Sequence, residues 1–260
     1  ITPRVSPARQ LAEFIAANPG PGIVYCPTRD GTERMAERLA AMTKRSVAAY
    51  HAGLEPERRA RVQHDFVASE DGIVTATVAF GMGIDKPDVR FVAHAGLPKS
   101  IESYYQETGR AGRDGDPAEA LMLWGADDFA RARMRLGELP EARIASERTR
   151  LNALAALVET VECRRALLLR HFGEHPPARC GNCDTCLDPP KQVDATVLAQ
   201  KLLSAVYRTG QSYGAGHVEA VLTGRSDERI VGRGHDKLSV FGIVEGEEAR
   251  LIKPLVRSLV

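Results

Sequence analysis

Between Ser6 and Trp124 the chain switches repeatedly between short apolar runs and longer amphipathic ones. GIVYC (22–26), SVAAYH (46–51), GIVTAT (72–77), VRFVAHA (89–95) and EALMLW (119–124) are too short for stable helices and read as strands. SPARQLAEFIAA, TERMAERLAAM, EPERRARVQHDFVAS and SIESYYQETG space their apolar residues as helices do, and Ser6 and Pro7 suit the N-cap and first helical position. Strands joined by crossover helices pair in parallel, so the fold class expected is α/β. Ligands on such sheets sit at the carboxyl ends of the strands, which directs attention to the loops after Cys26, His51 and Thr77.

Beyond Gly125 the pattern turns helical and rich in arginine. A compact, proline-bounded loop, PPARCGNCDTCLDPPKQ, follows. From Val193 the reading is helix, helix, the glycine-broken stretch GRGHDKLSVFGIVEG, and a final helix. We divide the chain into a lobe (1–125), a helical hairpin with a cysteine loop (126–192) and a C-terminal domain (193–260). A net charge of +1 confines any nucleic-acid footprint to local patches. No apolar run reaches membrane-spanning length, and ITPRVSPARQ lacks the pattern of a secretion signal, so a cytoplasmic setting is expected, nucleoid-associated in a bacterium. Opening on Ile1 rather than Met, the chain reads as a cut from a longer protein.

Four of the five cysteines cluster late. Cys180, Cys183 and Cys186 form a Cys-x-x-Cys-x-x-Cys loop, and Cys163 lies in the helical ECRRALLLRHF. Four thiolates close a tetrahedral site with no open position, so the expectation is structural zinc. A loop this small has little core of its own and takes much of its folding energy from the metal. Disulfides and an iron–sulfur cluster are the alternatives, and His171 or His175 can stand in for one cysteine. The bacterial ferredoxin run needs a further Cys-Pro that is absent. Cys26 reads as a buried free thiol.

In YYQETGRAGRDG, Gln106, Arg110 and Arg113 fall at i, i+4 and i+7, one stripe if the helix persists, while Gly109 and Gly112 suggest that it loosens. Arginine's planar fork suits phosphate, and a pair aimed at a γ-phosphate neutralises the charge of its transfer. This string resembles motif six of superfamily-two helicases in the form used by RecQ-type DNA helicases. GIVYCPTR resembles the family's motif four. YHAGL with RARVQHDF resembles its next signature, and TATVAFGMGIDKPDVRFVAH its motif five. The ordered match runs along almost the whole chain.

The resemblance implies that the lobe is the second RecA-like lobe of a motor, with ATP bound between it and a first lobe. Gln106, Arg110 and Arg113 would face the phosphates, and Gly83 and Asp85 would lie at the same cleft, with Asp85 equally readable as a loop cap. Arg29, His51 and Thr77 would touch single-stranded DNA, with His51 equally a satisfied structural histidine and Thr77 a strand-end β-former. The family also carries a zinc site of the Cys163, Cys180, Cys183 and Cys186 arrangement. The C-terminal part resembles its winged-helix domain, incomplete here because the wing is lacking, with His235, Lys237 and Ser239 as contacts to duplex DNA. No G-x-x-x-x-G-K-S/T and no DExH box occurs in the chain. The reading is therefore the rear half of an ATP-dependent DNA helicase of repair, recombination and replication. It would need ATP and Mg2+ held with a first lobe and would be inactive alone. Alternatives are a stand-alone zinc-containing DNA-binding module and an RNA-directed motor.

Overall fold

The computed structural model describes residues 1–78, 80, 84–191 and 193–259, with side chains through residue 256. Packing divides the chain into two compact units, Ile1–Pro190 and Lys191–Val260. The expected boundary residue Gln192 lies outside the described residues.

The first unit is built on β1 (Thr2–Pro3), β2 (Gly22–Tyr25), β3 (Val47–Tyr50), β4 (Ile73–Ala76), β5 (Phe91–His94) and β6 (Glu119–Trp124). These form one sheet in the order β1-β6-β5-β2-β4-β3, with every pairing parallel. This is the α/β architecture expected. Strands β2, β4 and β5 are buried at every position, as strands covered on both faces are. Side chains alternate between two cores. Val24, Ile73, Phe91 and Ala93 pack on one face with Leu11 and Ile15 of α1 (Pro7–Ala17) and Met35 and Leu39 of α2 (Arg29–Thr43). Ile23, Tyr25, Val74 and Val92 pack on the other with Phe80 and with Phe66 of α3 (Pro56–Ala68).

Two local details differ from expectation. Strand β1, too short to show in any periodicity, adds to β6 at the sheet edge. Ser6 stands at the N-cap of α1 with Pro7 following, but its hydroxyl makes no capping bond. Gln10 Oε1 instead accepts from the Val5 and Ser6 N–H groups at 2.9 and 3.0 Å, because a longer amide reaches both orphan donors at once.

Helices α4 (Ile101–Thr108), α5 (Ala126–Leu136) and α6 (Glu141–Glu159) share a further core with β6, made by Ile101, Met122, Phe129, Leu154, Leu157 and Val158. Helix α7 (Arg164–His171) and the single turn α8 (Asp184–Leu187) complete this unit.

The second unit packs α9 (Thr196–Arg208), α10 (Ala215–Leu222), α11 (Glu228–Gly232) and α12 (Gly246–Leu259) around Leu198, Leu202, Val221, Leu222, Ile230 and Ile252. Helix α11 was not expected. Five residues show no periodicity, but the Asp227 carboxylate starts the helix by accepting from Ile230 N–H at 2.8 Å. Among the described residues this unit has no strand.

Gly22 shows how tightly the sheet centre is packed: a Cβ there would fall 2.0–2.3 Å from the Phe91 ring. Gly22→Ala is therefore expected to destabilise the first unit by about 1–3 kcal/mol, read from urea denaturation, since the ring has no empty side to move into. An unchanged midpoint would show that the ring yields freely.

Candidate functional site

Helix α4 begins at Ser100, whose hydroxyl accepts from Ser103 N–H at 3.3 Å, and stops at Gly109. The stripe of Gln106, Arg110 and Arg113 does not form, because only Gln106 lies in the helix. The loosening that Gly109 and Gly112 suggested occurs instead. Gly112 has φ +65°, and a Cβ there would lie 2.9 Å from the Asp116 carbonyl oxygen. The turn is tied to the segment before β5 by Gly112 N–H to Val89 O at 2.9 Å and Arg113 N–H to Pro87 O at 3.0 Å. Gln106 and Arg113 are exposed, and Arg110 is half-buried.

Tyr25 is the buried last residue of β2. Burial raises the pKa of the Tyr25 hydroxyl. A hydrogen bond from Arg110 and the charges of Arg110 and Arg113 act against that rise, and Glu107 adds to it. The hydroxyl donates to Phe80 O at 3.1 Å, and the ring stacks on His94 with centroids 5.4 Å apart. His94 Nε2 lies 2.7 Å from Glu107 Oε2 inside the core. None of Tyr25, His94 and Glu107 was singled out from sequence, because each stands in an apolar run or helix where it reads as packing. Asp85 is exposed. Gly83 lies outside the described residues.

A groove of about 1190 Å³ opens at the carboxyl ends of β2, β4 and β5. Arg29 and Thr77 both line it, together with Arg4, Arg34, Lys99, Arg131 and Arg135, against the carboxylates of Glu107, Asp128 and Glu147. Arg4 and Arg131 are ion-paired with Asp127 and Asp128, and Arg34 with Asp30, so it is Arg29, Lys99 and Arg135 that suit a phosphate backbone. The further basic residues were not joined by the sequence reading because they come from four separate segments. Thr28 positions this end of α2, its hydroxyl accepting from Gly31 N–H at 3.0 Å. His51 is buried. Its Nε2 meets Glu33 Oε1 at 3.0 Å, and its Nδ1 accepts from Gly53 N–H at 3.2 Å, the arrangement of a satisfied structural histidine. A Cβ on Gly53 would sit 3.2 Å from Arg29 Nη1, so the glycine lets Arg29 lie against this loop.

The sulfur atoms of Cys163, Cys180, Cys183 and Cys186 all lie within 4.8 Å of one another. Thiolates around one zinc ion at about 2.3 Å stand about 3.8 Å apart, and Cys163 Sγ and Cys183 Sγ are 3.8 Å apart. All four cysteines are free thiols, and the spacing leaves room for one ion rather than a cluster of iron and sulfur. His171 is engaged elsewhere, its Nε2 2.8 Å from Glu102 Oε1. Local structure presents each sulfur. Cys163 caps α7, accepting from Ala166 N–H, and Cys180 Sγ accepts from the N–H groups of Asn182 and Cys183. Arg164 clamps Asp184 at 2.7 and 2.9 Å, and the Thr185 hydroxyl donates to Glu162 O at 2.7 Å, so helix and loop are held together. Burial pushes the Cys163 thiol up to about 11. For Cys183 burial also opposes ionisation, but its contact with Thr185 Oγ1, the Arg164 N–H and the neighbouring thiols outweigh it and draw the group down to about 6, toward the thiolate a metal needs.

In the second unit His235 is buried, with Nδ1 2.8 Å from His217 Nε2, while Lys237 and Ser239 are exposed on the turn it begins. Tyr213 stacks on His217 at 4.2 Å, and Arg233 lies over the Tyr213 ring at 5.3 Å. This group joins three short segments, and its members showed no shared spacing in the sequence.

The model of the helicase conserved C-terminal domain matches residues 7–115, that of the RecQ zinc-binding domain residues 126–187, and that of the RQC domain residues 189–260. The chain is similar to the ATP-dependent DNA helicase RecQ of Haemophilus influenzae, 48% identical over 259 residues, which are 99% of this chain and 42% of that protein. The RecQ of Pasteurella multocida is 46% identical, over 99% of this chain and 41% of its own length. That of Bacillus subtilis is 36% identical, over 92% and 40%. The chain thus spans about two fifths of the length of these relatives.

If the four sulfurs hold one structural ion, Cys183→Ser lowers zinc content and soluble yield together, measured by atomic absorption on the purified chain. Unchanged zinc would remove Cys183 from the ligand set.

Proposed function

The chain belongs to the RecQ family of helicases, and from that premise we propose that it supplies the second motor lobe and the duplex-holding platform of an enzyme that unwinds DNA at the expense of ATP. The observation that carries this reading is the meeting of two elements at one edge of the sheet. The turn that carries Arg110 and Arg113 is tied to the segment before β5, and Glu107, in the last turn of α4 just ahead of it, lines the basic groove with Tyr25, Arg29 and Thr77.

Arg110 and Arg113 are the fingers that neutralise charge on the transferring γ-phosphate, with Gln106 beside them and Asp85 at the nucleotide. ATP and Mg2+ bind once a first lobe brings the phosphate cradle that these 260 residues lack. Cleft closure places the arginines on the phosphate, and reopening after hydrolysis releases them. Arg29 and Thr77 hold the backbone of a single strand in the groove, and alternate gripping by two lobes moves the motor in the 3′-to-5′ direction. Cys163, Cys180, Cys183 and Cys186 would hold a zinc ion whose role there would be structural, tying α7 to its loop. Lys237 and Ser239 touch duplex backbone, and His235, held from inside by His217, shapes the turn that presents them. Such contacts read charge rather than bases, so binding weakens steeply with salt and discriminates little between sequences. A second reading rests on the missing phosphate cradle: a zinc-containing DNA-binding module without ATP turnover. Fusing a first lobe ahead of Ile1 separates the two, because turnover returns only under the first reading.

In the enzyme that carries both lobes, Arg113→Ala is expected to cut DNA-stimulated ATP turnover about a thousandfold while the Kd for a single-stranded oligonucleotide stays within about twofold. Turnover comes from a coupled assay and binding from fluorescence anisotropy. Parallel loss of both would remove Arg113 from the nucleotide.

A further inference from the structure

The turn that carries Arg110 and Arg113 is fastened on both sides to one strand. On its far side Gly112 and Arg113 donate their N–H groups to Val89 O and Pro87 O, Asp114 N–H donates to Pro87 O at 3.3 Å, and the Arg90 guanidinium bonds to the Asp114 carboxylate. All of these grip the start of β5. On its near side the grip comes from two side chains. Glu107, in the last turn of α4, places Oε2 2.7 Å from Nε2 of His94, the last residue of β5. The backbone carries this hold forward, since Arg110 N–H donates to Glu107 O at 3.4 Å. Tyr25 stacks on the imidazole with centroids 5.4 Å apart, and Tyr104 of α4 leans on it at 5.4 Å, so packing fixes the ring.

The pair is a costly way to fill a core. His94 is 1% exposed and Glu107 6%, so both are stripped of water, and His94 Nδ1 is buried with no hydrogen-bond partner among the described residues. Two apolar side chains of similar volume would fill the space at less cost. They would not set the distance and angle between the end of β5 and the last turn of α4, because a hydrogen bond is directional and apolar contact is not. Both residues also line the groove beside Arg29 and Thr77.

We infer that Glu107 and His94 are positioning residues for the arginine turn: their buried bond fixes the near side of the turn to the end of β5, at the wall of the groove. The inference rests on the proposed function, with Arg110 and Arg113 at the γ-phosphate, and adds what sets their place. With the bond cut, the turn keeps its far anchor at Pro87 and Val89 and loses its near one, so the arginines remain present but out of register.

The test uses the intact two-lobed enzyme. His94→Phe combined with Glu107→Leu replaces the pair by apolar groups. Its melting temperature is expected to match or exceed the parent's, because no buried charge is left. Its kcat for DNA-stimulated ATP hydrolysis is expected to fall about tenfold, with KM for ATP and Kd for a single-stranded oligonucleotide within about twofold. Two single variants separate reach from charge. Glu107→Asp keeps the carboxylate but withdraws it by a methylene, and should lower kcat about threefold or more. Glu107→Gln keeps the reach and the hydrogen bond, and should hold kcat within about twofold of the parent. This second comparison decides the matter if the apolar variant does not fold. Parental kcat in the apolar variant, equal kcat in the Asp and Gln variants, or a kcat that simply follows melting temperature would overturn the inference and leave the proposed function standing. Arg110→Ala and Arg113→Ala both retaining full turnover would instead remove the fingers, and the positioning role with them.

Discussion

Parallel pairing among β2, β4 and β5 is the constraint on which the first unit depends. A parallel strand cannot return through a tight turn, so every connection crosses a face of the sheet and every strand starts at the same edge. Tyr25 is registered with Ala76 on one side and His94 on the other. Three chain segments therefore leave the sheet side by side: Cys26 to Arg29, Thr77 and its successors, and Ala95 to Lys99. The basic groove is the space between them, and its chemistry follows from what those exits happen to carry.

The same register places polar groups where a core would otherwise be apolar. His94 ends β5 directly beside Tyr25, and Glu107 lies one helix later, inside rather than at the surface. A buried lysine is likewise held by several partners. Lys86 Nζ donates to the carbonyls of Val67 and Ser69 at 3.1 and 2.8 Å and to Asp88 at 3.2 Å, so the end of α3 and the approach to β5 share one ammonium group. The Lys86 charge is tolerated in this interior because three acceptors surround it.

Much of this was legible in the sequence. The strands β2 to β6 stand out because they are short apolar runs between amphipathic ones, and the cysteine loop because thiol spacing is itself the signal. What was not legible arises from tertiary placement. Strand β1 consists of Thr2 and Pro3 and exists only because β6 offers an edge. Arg110 looked like the next position on a helix stripe, but the helix ended at Thr108. Tyr25, His94 and Glu107 come from a strand, another strand and a helix, so no linear spacing joins them. Tyr213, His217 and Arg233 were invisible for the same reason.

Strand order has a consequence for the history of the chain rather than its finished form. Strand β2, near the start, is sandwiched between β4 and β5, and β1 docks on β6, with Thr2 beside Leu123. During synthesis the earliest segments emerge without the neighbours that will flank them, and no two strands adjacent in sequence between β1 and β3 lie next to each other in the sheet. Long-range parallel pairing of this kind is slow, because loops close before contacts reward them. A ribosome adding about 5–20 residues each second leaves the apolar flanks of β2 uncovered for seconds. The sheet of the lobe thus closes only once β5 has been made, whereas the second unit rests on local helix contacts.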